Sequence, residues 1–270
     1  MSSTSFSKPK IAILAACLYT AVMGIGMFYM KNFKGITYGE PEMMNIFWFV
    51  MILVNAINVF FVNRFFSWQE VGFRKLKTKQ LLWFVPLFAV LIAMWVLFWK
   101  GFASVPFNAA QWRLFAVAGF TTFLVGVGEE VMYRGIVLHA FLTTQRVWWA
   151  MLVSAIGFSL LHSVNVFGGV ALTNSPVQLI ATFLFGCVFA ALMLKLNNIW
   201  PLIIFHWLWD FVLFASGILS NGVGETVSVS SVIIIPIEII VSILLWLQIK
   251  KEHNLIQEQG SISTMQKVRD

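Results

Sequence analysis

The chain has 270 residues, of which 60% are hydrophobic and only 11% charged, and its formal net charge is +7. Soluble domains carry about 25% charged residues, so a soluble enzyme is excluded and the composition predicts an all-α polytopic membrane protein. The basic residues fall mostly in short loops, where they set topology rather than bind nucleic acid. Cys17 and Cys187 both lie in apolar segments, which suggests neither a disulfide framework nor a metal cluster.

In chain order, a polar start with Lys8 and Lys10 leads into a first apolar run, Ile11 to Met30. Leu14-Ala15-Ala16-Cys17 looks like a lipoprotein cleavage site, but few apolar residues precede Cys17 and the run continues well past it, so a span is the better reading. Seven more runs follow, each near the ~20 residues a bilayer needs: Met44–Phe66, Leu81–Trp99, Leu114–Leu142, Trp148–Phe167, Val177–Leu194, Ile199–Leu219 and Val232–Ile249. The fourth is too long for a perpendicular span and must tilt or emerge at its Arg146 end. From Lys250 the chain is polar and reads as a mobile tail. With eight spans, one side of the membrane collects both termini, the Arg74, Lys75, Lys77 and Lys79 loop, Arg146 and Lys195. The other side has only Lys31, Lys34, Lys100 and Arg113. That bias predicts cytoplasmic termini.

The fourth run holds Gly128-Glu129-Glu130-Val131-Met132-Tyr133-Arg134-Gly135. A charged side chain at the centre of a spanning helix costs about 2.5–3.5 kcal/mol on insertion scales. Three of them must therefore be paired, solvated or used. Glu130 and Arg134 are four apart and pair on one helical face; the reading is a buried structural ion pair. Glu129, rotated by about 100°, faces something else. The fifth span offers Phe158-Ser159-Leu160-Leu161-His162 and the seventh His206-Trp207-Leu208-Trp209-Asp210. Taken singly, each has a plainer reading, as a hydrogen bond between helices. Together, two Glu, an Arg, two His and an Asp on three apolar helices point to one polar cavity. Glu238, after Pro236, faces either that cavity or the outer boundary; His139 near a helix end and His253 in the tail read as unrelated. A carboxylate beside an imidazole can hold and deprotonate water, and a second imidazole with an acid or amide can stabilise the oxyanion. The same Glu129, His162 and His206 could alternatively bind zinc with one open position.

Glu129-Glu130-x-x-x-Arg134, Phe158-x-x-x-His162 and His206-x-x-x-Asp210 resemble the three motifs of the CPBP (CAAX-processing and bacteriocin-processing, or Abi) intramembrane proteases. The resemblance covers about Leu114 to Leu219. It implies an eight-helix bundle with a cavity open to one side of the membrane, in which residues 114–220 form the catalytic core. Residues 1–113 then add three helices, and 221–270 the last helix and a cytoplasmic tail. It also implies that Glu129 and His162 activate water, that His206 with Asp210 lines the oxyanion site, and that Arg134 holds Glu130. The eukaryotic prenyl-protein proteases of the family carry Asn where this chain has Asp210. An Asp donates a hydrogen bond only when protonated, so Asp210 has the alternative role of orienting His206. Members are described as metalloproteases, yet the better-understood ones resemble metal-independent glutamate proteases.

No acceptor for His162 is visible in the sequence, and the two histidines lack the i, i+4 zinc spacing; both facts favour a site without metal. Short loops and no targeting segment point to a bacterial cell membrane. The implied substrate is a peptide or membrane-anchored protein: a pheromone, a bacteriocin or a surface protein. The competing readings are a non-catalytic bacteriocin self-immunity or binding protein on the same fold, and a proton-relay transporter. The transporter is disfavoured by the lack of an inverted repeat.

Overall fold

The computed structural model describes residues 7–143, 146–219 and 222–269, with side chains as far as Glu252. Among the described residues, ten α-helices run in the order α1 Lys8–Lys34, α2 Met44–Phe65, α3 Val85–Ser104, α4 Ala109–Glu130, α5 Leu138–Leu142, α6 Val147–Leu161, α7 Ser175–Leu196, α8 Trp200–Gly217, α9 Val223–Ser231 and α10 Ile234–Arg269. There is no strand among the described residues. Eight stretches are long and apolar enough to cross a membrane, so the chain is an all-α, multi-pass bundle. Most spans run a few residues beyond the apolar runs, whereas the seventh, Trp200–Gly217, is shorter than its run. From Lys250 the polar stretch prolongs α10 as helix to Arg269. His253 lies outside the described side chains.

The fourth span is 34 residues long and is not one regular helix. A capping box starts it: Asn108 Oδ1 accepts from the Gln111 amide at 3.0 Å and Gln111 Oε1 from the Asn108 amide at 3.0 Å. Between α4 and α5, Val131–Val137 form a π-turn, which rotates everything after Glu130 relative to an ideal α-helix. The turn's carbonyls are held by side chains from nearby. Ser154 donates to the Tyr133 carbonyl at 2.8 Å, and His139 Nδ1 to those of Arg134 and Gly135 at 2.9 and 3.0 Å. His139 is therefore a buried brace of the π-turn and does not line the cavity of the motif residues.

Lipid is as apolar as the helices, so helix association here rests on close packing and a few hydrogen bonds. Gly126 lets α8 approach: a Cβ there would lie 3.0 Å from the Ile203 carbonyl oxygen and 3.1 Å from the Trp207 nitrogen. One helical turn and more away, Trp207 Nε1 donates to the Gly119 carbonyl at 2.8 Å. From the other flank α2 grips α4 through two asparagines. Asn55 Nδ2 donates to the Leu124 carbonyl at 3.0 Å, and Asn58 Nδ2 to that of Gly128 at 2.7 Å. The last contact sits directly before Glu129. The segment after α2 is strapped to the α7–α8 junction, with Lys77 N on the Leu196 carbonyl and Ile199 N on that of Gly72, both at 3.0 Å.

Candidate active site

Glu130 is completely buried and is the hub of the polar core. Its Oε1 accepts from Arg134 Nη1 at 2.9 Å and from His206 Nδ1 at 2.8 Å. One carboxylate oxygen thus joins the expected ion pair to the histidine of α8. Arg134, also fully buried, is covered by Phe158, whose ring centroid lies 4.1 Å from the guanidinium carbon. Phe185 and Phe189 stand further out, at 5.7 and 5.4 Å. A guanidinium is weakly hydrated and stacks on aromatic faces, so this cage suits arginine better than lysine.

Because Glu130 takes Nδ1, His206 presents Nε2 to the cavity, where Asp210 Oδ2 lies at 3.5 Å and Glu129 Oε2 at 3.9 Å. The acceptor that fixes the His206 ring is Glu130 on another helix, and Asp210 stands at the opposite nitrogen. His162 closes α6 and begins a 3₁₀ stretch, His162–Gly168. Its Nδ1 is 3.0 Å from the Phe158 carbonyl oxygen. A carbonyl only accepts, so Nδ1 donates and Nε2 remains for the cavity. An acceptor for His162 therefore does exist, supplied by backbone that the sequence could not place. Phe158 serves twice, with its ring on Arg134 and its carbonyl on His162.

Glu129, His162, His206 and Asp210 line one cavity of about 480 Å³. Pockets for small ligands run to roughly 300–1,000 Å³, so a short peptide segment fits. Two further residues line it that the sequence did not single out, Tyr38 and Asn165. Tyr38 belongs to the loop between α1 and α2, between Gly35 and Gly39, which adopt φ of 70° and 95°. Its amide donates to the Gly168 carbonyl at 2.8 Å, and Gln178 Nε2 reaches its hydroxyl at 3.5 Å. Burial, with Asp210 and Glu129 nearby, pushes the Tyr38 phenol well above its ordinary value, so it remains a donor at physiological pH. Nothing in the sequence singled Tyr38 out. Glu238 is 2% exposed and faces a second cavity behind His162 and His206.

A zinc ion would need Glu129, His162 and His206 to converge on one point. Among the described residues no group of three or more His, Cys, Asp and Glu side chains could hold a metal. His206 already has one nitrogen bound to Glu130, and the other flanked by two carboxylates. Both histidines keep Nε2 toward the cavity with Nδ1 held by Glu130 or by the Phe158 carbonyl, an arrangement that a ligand histidine shares.

Residues 110–212, from the start of α4 to α8, match the family model described as type II CAAX prenyl endopeptidase, Rce1-like. All seven motif residues fall within the matched stretch; Tyr38 and Glu238 fall outside it. No curated protein and no solved structure matches the chain.

Proposed function

We propose that this chain, whose residues 110–212 match the Rce1-like type II CAAX prenyl endopeptidase model, is an intramembrane endopeptidase that cleaves a peptide bond with activated water and no metal. The observation that carries the reading is the meeting of Glu129, His162, His206 and Asp210, from three separate spans, on one cavity of peptide size.

In this mechanism water binds between the Glu129 carboxylate and His162 Nε2. Glu129 takes a proton as the water oxygen attacks the peptide carbonyl carbon. The carbonyl π-electrons move onto oxygen, and the tetrahedral oxyanion is met by donors in the low-dielectric cavity. His206 Nε2 is one donor when the ring is protonated. Glu130 and Asp210 stand at its two nitrogens. An Asp donates a hydrogen bond only when protonated, so the Tyr38 hydroxyl is the second donor. Collapse of the intermediate breaks the C–N bond, and the proton held by Glu129 passes to the leaving amine. The substrate is a membrane-anchored peptide or protein reached from the bilayer.

The test is Glu129→Gln, which keeps shape and removes the base. Cleavage of membrane-tethered peptides should fall by about 10²–10⁴-fold, the usual worth of general-base catalysis. Detergent-extracted yield and thermal midpoint should stay unchanged. Full activity in this variant would reject the assignment of the base.

A further inference from the structure

The mechanism above leaves Glu238 unused. It sits in α10, and the residue is 2% exposed. Among the described residues it has neither a hydrogen bond nor an ion pair, although every other buried carboxylate of the core has one of the two. Leaving a carboxyl unpaired at membrane depth is costly.

Its surroundings are specific. Glu238 lines a cavity of about 270 Å³ whose far wall is His162, His206 and Asp210, the same three residues that line the first cavity. The remaining wall is largely apolar, with Val177, Ala181, Phe185, Trp209 and Ile235. At below the roughly 300 Å³ where drug-sized pockets begin, the cavity has room for one side chain. Neither wall contains a Lys or Arg. The core therefore holds Glu129, Glu130, Asp210 and Glu238 against a single fixed cation, Arg134, which is already bound to Glu130. A cavity with a largely apolar wall and one unpaired carboxylate matches a long aliphatic stem ending in a positive charge.

We propose that this second cavity is a specificity subsite for a lysine or arginine side chain adjacent to the scissile bond, with Glu238 as its counter-ion. The proposal rests on the peptidase reading, which supplies the substrate. The shared imidazole wall sets the spacing: a peptide whose carbonyl lies in the first cavity places a neighbouring side chain in the second. Glu238 contacts substrate without taking part in bond breaking, so its removal should raise KM for basic substrates more than it lowers kcat.

The full chain in phosphatidylcholine–phosphatidylglycerol proteoliposomes is given membrane-tethered fluorogenic peptides with Lys, Arg, Gln or Leu beside the cleavage site. In parallel, binding of n-butylguanidinium and of neutral n-butylurea is titrated calorimetrically against the purified protein. The expected result is at least a tenfold preference in kcat/KM for Lys and Arg, lost in Glu238→Gln, with guanidinium binding weakened at least tenfold and urea binding unchanged. Ala181→Phe, which fills the cavity and leaves the carboxylate, should lose the same preference, and thermal midpoints report whether each variant folds. Cleavage without preference for a basic residue, or guanidinium binding untouched by Glu238→Gln, overturns the subsite while the peptidase stands. Preference for Gln and butylurea means that the carboxyl hydrogen-bonds neutral groups, and overturns the cationic assignment. Guanidinium binding that depends on Glu238, in a chain that cleaves none of the peptides, rejects the peptidase and retains the cation site.

Discussion

At the scale of single residues, Glu130 decides how the core is read. Its Oε1 carries both Arg134 and His206, so the ion pair foreseen from the i, i+4 spacing is also the support of a site histidine. Arg134→Ala leaves a buried carboxylate without its cation, a loss of about 3–5 kcal/mol for broken buried pairs. Less folded protein should be extracted from membranes, and activity should fall further than yield as His206 loses its anchor. Arg134→Lys should restore the yield only in part, because an ammonium cannot stack on Phe158 and reach Glu130 in the same way. Normal accumulation and activity of Arg134→Ala would remove the hub role. Tyr38→Phe tests the second oxyanion donor. It keeps the ring and removes the hydroxyl, and kcat should drop by about 10²-fold, at the lower end for one lost donor, with KM little changed. Asp210→Asn introduces an amide donor, so it should soften the Tyr38→Phe defect if both act on one oxyanion. The metal question is answered at the same scale. Purified protein should hold far less than one zinc per chain by elemental analysis and keep its activity in a strong chelator. One zinc per chain, with activity lost on chelation and restored by zinc alone, would reject the metal-free mechanism.

At the scale of elements, the site depends on how close α8 comes to α4. A Cβ at Gly126 would meet the Ile203 carbonyl oxygen and the Trp207 nitrogen, backbone atoms that have no freedom to move aside. Gly126→Val should push α8 outward, lengthen the Glu130–His206 contact and abolish cleavage while the eight spans still insert. Intact peptide cleavage by this variant would show that the approach is unnecessary. The same elements show what a sequence can disclose. The spans were legible because a bilayer demands long apolar runs, and Glu129, Glu130, Arg134, His162, His206 and Asp210 stood out because charge inside such runs is expensive. The bond from Glu130 to His206 was not legible, since nothing in either segment says that α4 and α8 are neighbours. Nor was the π-turn at Val131–Val137, which leaves no mark on composition although such turns gather at functional sites. The acceptor of His162 is a backbone carbonyl, invisible by kind. Tyr38 lies in a loop outside every apolar run, where a tyrosine raises no alarm.

At the scale of the whole molecule, contacts near the ends of the spans group the termini with one set of loops. Lys8 pairs with Glu70 in the loop after α2, that loop is bound to the α7–α8 junction, and Lys195 pairs with Glu252 of α10 at 2.6 Å. These belong to the lysine- and arginine-rich side, which the charge bias assigns to the cytoplasm. The first cavity is rimmed instead by Tyr38, Gly39, Gly217 and Gly224, from the α1–α2 and α8–α9 connections at the opposite end. If the bias holds, the cavity opens away from the cytoplasm, and its substrate must be exported or already anchored in the outer leaflet. Single cysteines test this in a chain with Cys17→Ala and Cys187→Ala. Glu40 and Lys75 are both exposed, one on each side. A membrane-impermeant maleimide applied to intact cells should label Glu40→Cys and spare Lys75→Cys, which should react only after the membrane is permeabilised. Labelling of Lys75→Cys in intact cells with Glu40→Cys protected would invert the molecule, and would direct the search for substrates to the cytoplasmic face.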